Sequence, residues 1–265
     1  MKLTFEIKYG KNTGLIYSAA EILNIYLYGI KINATNGTRF SEDAFTFYIR
    51  EAQKTVENWF SIKFIKQLIT EGTSFYKDSY LEQFPIINTK YIVLQPLALV
   101  GLLKKIEQVR YPREWLSYAK DPDQVGGRRI SIVPTGSGGT SANQDVILTG
   151  ILTQIGIQRF ENIPDYWNYQ YITGFDFEHM PWDLLGVVGK LATFGPLNIA
   201  GDLILGSAGI ASQSLSIDGL SQSISTTASA TNAGYGARLI NYQKEIEETV
   251  KRVGATYKGY QFVVL

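Results

Sequence analysis

Asp176 and Glu178 lie two residues apart in YITGFDFEHMPWDLL, between Phe175 and Phe177. A carboxylate pair can do general acid–base work on a sugar. Here nothing else in the sequence converges on the pair, and acids flanking the end of a strand are the simpler reading. His179 is the only imidazole in the chain, so a His-based triad or a multi-His metal site has a single candidate residue. Cysteine is absent. That removes thiol nucleophiles, disulfides, and cysteine-ligated zinc or iron–sulfur sites. The stretch TGSGGTSAN (residues 135–143) has the glycines of a phosphate-cradling loop. Such a loop needs Lys-Ser/Thr and an opening helix directly behind it, and neither follows. No enzyme is expected from these residues, and no cofactor or metal.

A second kind of chemistry stands out in SQSLSIDGLSQSISTT, residues 212–227. Asp218-Gly219 is a strong signal for a two-residue hairpin turn. With that turn, Ile217 faces Leu220, Ser216 faces Ser221, Leu215 faces Gln222, Ser214 faces Ser223, Gln213 faces Ile224 and Ser212 faces Ser225. Side chains alternate across a strand. One face then carries Leu215, Ile217, Leu220 and Ile224 with two glutamines. The other carries Ser212, Ser214, Ser216, Ser221, Ser223 and Ser225. An isolated two-stranded hairpin is marginal in water, so its apolar face is expected to pack on something, such as a neighbouring subunit. The hydroxyl face suits a wet, uncharged wall past which a polyanion can slide without strong phosphate contacts. The plainer reading is a solvated surface arm.

The bulk numbers fit a passive contact with nucleic acid better than a grip on it. The 25 Lys+Arg are balanced by 24 Asp+Glu, for a formal net charge of +1. Tight phosphate binding usually needs a basic excess. With 45% hydrophobic residues the chain can build a real core. Its 17 tyrosines suit either interfaces or a Tyr-rich core.

The elements that must carry the ribbon can be traced along the chain. MKLTFEIKYG alternates apolar and polar residues like a strand with one buried face, and it lacks the apolar run of a signal peptide, so synthesis in the cytoplasm is expected. A short helix followed by a turn at Tyr28-Gly29 is expected within residues 17–32. Ser41 opens the clearest helix, with Glu42 and Asp43 in its first turn and Phe45, Tyr48, Ile49, Ala52, Val56 and Trp59 at helical spacing. Extended structure is expected near Ile69 and Tyr76, in PLALVGLLKKIEQV, in RRISIVP, through DVILTGILTQIGI and in YWNYQYITGF. Pro181 suits the first turn of a helix through DLLGVVGKLATF, apolar on most sides. A charged helix over residues 237–253 stops at Gly254. The tail after it holds Tyr257, Tyr260, Phe262, Val263, Val264 and Leu265 with only Lys258 charged. That composition suits an extended segment docked on another subunit, or one folded back as an edge strand on its own domain.

In order along the chain, NIYLYGIKI, FSEDAFTFYIREAQKTVENWFSIKF, YPREWL with RRISIVP, YITGFDFEHMPWDLL, LSIDGLSQSIST and the closing charged helix with its tail resemble the head–tail connector, or adaptor, proteins of tailed double-stranded-DNA bacteriophages. The resemblance implies an α+β fold: a helical core of the connector type with a β-rich elaboration and an extended β-hairpin. Residues 1–265 then form one connector domain, with the elaboration over about residues 91–177, the hairpin at 212–225 and the closing helix plus tail at 237–265. It implies a homo-oligomeric ring, a dodecamer in the family's usual form, beneath the portal protein at the capsid vertex. The ring extends the DNA channel and offers a platform to the next neck or tail component. Double-stranded DNA passes through without sequence-specific binding, there is no catalysis and no membrane, and the protein resides in the virion.

Two other readings compete. A tail terminator or capsid accessory protein would share the virion setting. A membrane-active protein would use the Gly-rich, apolar stretch 184–217. Lys190, Pro196 and Asp202 interrupt that stretch, and its longest charge-free part is shorter than the ~20 residues a spanning helix needs.

Overall fold

The computed structural model of the protein describes residues 14–30, 40–76, 86–103, 105–120, 126–133, 162–176, 179–205, 210–217, 220–227 and 234–258. Helices and antiparallel strands are both present, so the fold is mixed α+β. The chain divides into two compact units, residues 1–65 with 180–265, and residues 66–179. The β-rich part thus forms a compact unit of its own. It begins at Lys66 rather than near Tyr91, because the first strand after Lys66 belongs to the same sheet as the strand ending at Thr173.

The first unit is a helical bundle. Helix α1 (Ala19–Ile25) starts with a capping box: the Ser18 side chain accepts from the Glu21 amide, and the Glu21 carboxylate accepts from the Ser18 amide at 2.7 Å. After it the chain turns at Gly29, whose φ of 79° is open to glycine at no steric cost. Helix α2 (Glu42–Phe60) opens as expected at Ser41, which caps the Ala44 amide. Phe45, Ile49, Ala52, Val56 and Phe60 make its buried stripe. Two buried polar residues on α2 tie down flanking chain. Gln53 accepts from the Ile16 amide and donates to the Gly14 carbonyl. Glu57 accepts from Lys63 Nζ at 3.0 Å and from the Phe64 amide.

Helix α3 (Trp182–Leu205) follows Pro181, whose carbonyl accepts from the Leu185 amide. It runs on past the expected end at residue 194. Pro196 stays inside the helix and costs it the bond to the Ala192 carbonyl. Burial on all sides explains the tolerance: Leu184, Val188, Leu191, Ala192, Phe194, Leu197 and Ala200 are all enclosed. Helix α4 (Gly234–Lys258) buries Leu239, Gln243, Ile246, Val250, Val253 and Tyr257, a stripe with alternating four- and three-residue steps.

Specific contacts set the directions of these helices. Tyr48 in the first half of α2 seats its ring on Gly195 in the second half of α3. At the far end Phe60 meets Tyr257 edge to face, and the Tyr257 hydroxyl donates to Asp183 at the start of α3. Lys190 pairs with Glu245 at 2.6 Å between them. Helices α2 and α4 therefore both run antiparallel to α3. Tyr26, just after α1, joins three helices. Its ring sits on Gly189 of α3, and its carbonyl accepts from Tyr242 at 2.8 Å and Arg238 at 3.3 Å, both on α4. Its hydroxyl meets that of Tyr17, which also reaches the Leu185 carbonyl. Burial pushes both the Tyr17 and Tyr26 hydroxyls above their ordinary pKa.

The second unit holds strands β1 (Gln67–Tyr76), β2 (Ile86–Asn88), β3 (Gln95–Leu103), β4 (Ile106–Arg110), β5 (Leu116–Lys120), β6 (Gly126–Ile132) and β7 (Asn162–Thr173). They form a four-stranded sheet in the order β1-β7-β3-β4 and a three-stranded sheet in the order β2-β6-β5, antiparallel throughout. One core, including Phe75, Ile87, Leu99, Leu116, Ile130, Tyr166 and Trp167, draws side chains from both sheets. A bulge in β7, with Asp165 at φ 51°, shifts the register against β1 and lets the successive residues Tyr166 and Trp167 both face inward. Burial pushes the Tyr166 hydroxyl up to about 12.

Gly189 and Gly195 give a direct test of the bundle. A methyl group at either would overlap the ring of Tyr26 or Tyr48, whereas one at Gly186 meets nothing. Gly189→Ala and Gly195→Ala should each lose about 1–3 kcal/mol in thermal unfolding. Gly186→Ala should gain up to about 1 kcal/mol from helix propensity.

Candidate functional site

Strands β8 (Ile210–Ile217) and β9 (Leu220–Thr227) form a two-stranded antiparallel sheet of their own between α3 and α4. The register is the expected one. Ile217 pairs with Leu220, Ser216 with Ser221, Ser214 with Ser223 and Ser212 with Ser225. Gln213 pairs with Ile224 and Leu215 with Gln222. Two residues close the loop between the paired Ile217 and Leu220; the expected turn pair, Asp218 and Gly219, lies outside the described residues. Each strand has eight residues, a length of about 25 Å at the usual rise per residue.

The local sequence explains the pairing. Serine and threonine alternate with larger residues along both strands, and an Asp-Gly pair separates them. The backbone of β9 touches α3 and that of β8 touches α4. The arm is therefore rooted in the bundle. Its root lies where α3 ends and α4 begins, the end of α3 opposite the Tyr257–Asp183 contact.

Of the carboxylate pair Asp176 and Glu178, the structure describes Asp176. Asp176 is half exposed in an ion pair with Lys66, and its carbonyl accepts from the His179 amide. His179 is exposed, and Glu178 lies outside the described residues. Among the described residues no group of three His, Asp or Glu side chains is placed to hold a metal. No described helix is long and apolar enough to cross a membrane. The Gly-rich loop of residues 135–143 and the N-terminal strand of residues 1–10 lie outside the described residues.

Tyr257 needs a correction. It belongs to α4, not to a free tail, and it is buried against Phe60 within its own subunit. Gly254 does not stop the helix, because Tyr257 continues the buried stripe and finds Asp183 for its hydroxyl. Burial, followed by the Asp183 charge, pushes that hydroxyl above its ordinary pKa. Tyr260, Phe262, Val263, Val264 and Leu265 lie outside the described residues.

One polar constellation escaped the sequence reading. Glu71 on β1 accepts from the hydroxyls of Tyr171 at 2.9 Å and Tyr169 at 3.2 Å, and from the Lys90 amide at 3.1 Å. Tyr169 also reaches the Asn88 carbonyl, and the Tyr91 amide donates to Tyr171. The tyrosine hydroxyls are raised above their ordinary pKa, chiefly by burial. The cluster clamps the turn after β2 onto the four-stranded sheet. The Tyr-x-Tyr spacing on one strand face was its only trace in the sequence.

No protein-family model and no curated protein matches the chain. A chain in the solved structure described as "Neck of empty GTA particle computed with C6 symmetry" is similar at 17% identity, with 75% of this chain and 83% of that chain covered and a TM-score of 0.39. A likeness at that level carries no argument about fold or function.

Tyr257 separates bundle from tail experimentally. Tyr257→Ala should cost about 3–5 kcal/mol in denaturant unfolding, as for other buried aromatics. Tyr257→Phe should cost about 1 kcal/mol for the lost Asp183 bond. Removing residues 259–265 should leave the unfolding midpoint of the monomer unchanged.

Proposed function

We propose that the protein is a non-enzymatic structural component of a phage-type virion. Copies form a homo-oligomeric ring beneath the portal, extend the DNA channel with their hairpins and join the capsid vertex to the next neck or tail component. Two things support the reading: the ordered resemblance of the sequence to head–tail connector proteins, and the autonomous hairpin. The hairpin is the observation that carries most. Among the described residues this two-stranded sheet joins neither larger sheet; a lone hairpin is marginal in water, and an assembly that covers one face would stabilise it.

In a ring, the positions of Leu215, Ile217, Leu220 and Ile224 would face neighbouring protein. The three paired serine rows, 212 with 225, 214 with 223 and 216 with 221, would face the channel. Hydroxyls hydrogen-bond water and phosphate weakly and carry no charge, so duplex DNA would pass without being held. A near-neutral chain fits that task. The DNA contact would be independent of sequence, since it would involve no base edges.

Replacing Ser214, Ser216, Ser221 and Ser223 by Lys adds phosphate contacts in every copy around the channel. DNA ejection from particles carrying the variant should slow by on the order of tenfold or more at low salt, and recover as salt rises. Unchanged ejection kinetics in particles that contain the variant ring, or absence of the protein from the portal vertex of purified virions, would contradict the reading.

A further inference from the structure

The two edges of the four-stranded sheet differ. Strand β4 is five residues long and carries Glu107 and Arg110, which form a bidentate exposed ion pair. Short length and charge are common protections of a sheet edge. Strand β1 at the other edge is ten residues long, with the sequence QLITEGTSFY. It has no Pro and no Lys. Its single charge, Glu71, is occupied by the hydroxyls of Tyr169 and Tyr171 rather than standing guard in solvent. Leu68 and Tyr76 are 57% and 52% exposed, and Thr70 is exposed between them. Among the described residues β1 pairs only with β7, so one row of its backbone donors and acceptors faces away from the sheet.

We propose that this edge is a docking site for an added strand, and that the strand is the segment of residues 259–265 from a second copy of the chain. The inference rests on the ring reading for its second copy. Three features select this occupant. The segment GYQFVVL is uncharged, aromatic and β-branched, the composition of a strand. Its seven residues extend about 23 Å, within the ~33 Å of the ten-residue edge. Its launch point is fixed, because Tyr257 is anchored on Asp183 and Phe60 one residue before α4 ends. Symmetry favours tail on edge over edge on edge. Pairing of β1 with β1 closes at two copies, whereas tail on edge repeats around a ring and satisfies every subunit once. Main-chain hydrogen bonds would supply the affinity, and alternate side chains on the added strand would supply the register.

The absence of native cysteine makes cross-linking unambiguous. Cysteine is introduced at Leu68 or Thr70 together with Phe262 or Val264, giving four double variants, each oxidised mildly in the assembled full-length protein. At least one pair should give a ladder of covalent multimers on a non-reducing gel, collapsing to the single chain on reduction. The single variants should give none. Leu68→Lys with Thr70→Lys should weaken assembly by about tenfold or more while leaving the melting temperature of the monomer unchanged. Dimers from L68C or T70C alone would mean edge-to-edge pairing. Cross-links confined to single chains would mean the tail folds back. Either result overturns the proposal, as does the lack of any cross-link in particles that still form rings. A protein that stays monomeric at every concentration overturns the ring reading along with it.

Discussion

Helix α3 has buried side chains on every side of its axis, from Leu184 to Ala200. A helix of this kind cannot stand at a surface; it has to be wrapped. Everything else in the first unit follows from the wrapping. Helices α2 and α4 lie along it, antiparallel. Tyr26 and Tyr48 close the remaining gaps by laying their rings where Gly189 and Gly195 leave room for them. The aromatic rings supply apolar area, and their hydroxyls supply the polar fasteners that distinguish one packing from its neighbours. Tyr17, Tyr242 and Tyr257 act in the same way, each ending on a carbonyl, a hydroxyl or a carboxylate of another segment. Tyr111, Tyr166, Tyr169, Tyr171 and Tyr257 are buried, while Tyr28 and Tyr76 stand exposed.

The bundle also carries the hairpin arm. A serine-rich hairpin floating on a loop would be an entropic liability. In sequence the arm lies between α3 and α4, and its strands come near both helices. Among the described residues the hairpin has no third strand and the β1 edge has no neighbour on its outer side. In the proposed ring, neighbouring copies would cover both.

Local signals in the sequence carried further than global ones. The cap at Ser41 and the stripe through Phe45, Ile49, Ala52 and Val56 mark α2 unambiguously, since capping and periodicity are both encoded within a few residues. The hairpin register was legible for the same reason: an Asp-Gly turn and period-two alternation determine every pair from Ser212 to Ser225. The lengths of α3 and α4 were not. Pro196 and Gly254 are breakers by propensity, and only tertiary burial, on all sides of α3 and at Tyr257 of α4, overrides them. The boundary of the β-rich unit at Lys66 was also hidden, because β1 finds its partner β7 across about a hundred residues of chain. The Glu71 cluster was hidden for the same reason.

The central claim is that copies of this chain close into a ring whose inner wall is made by the serine-bearing hairpins. Particle mass and averaged electron images of the purified full-length protein test it most directly. The expected result is a closed ring with an open centre wide enough for a DNA duplex, with hairpin density at the inner rim. A persistent monomer, a closed globular oligomer without a channel, or a ring whose hairpins point outward would contradict it.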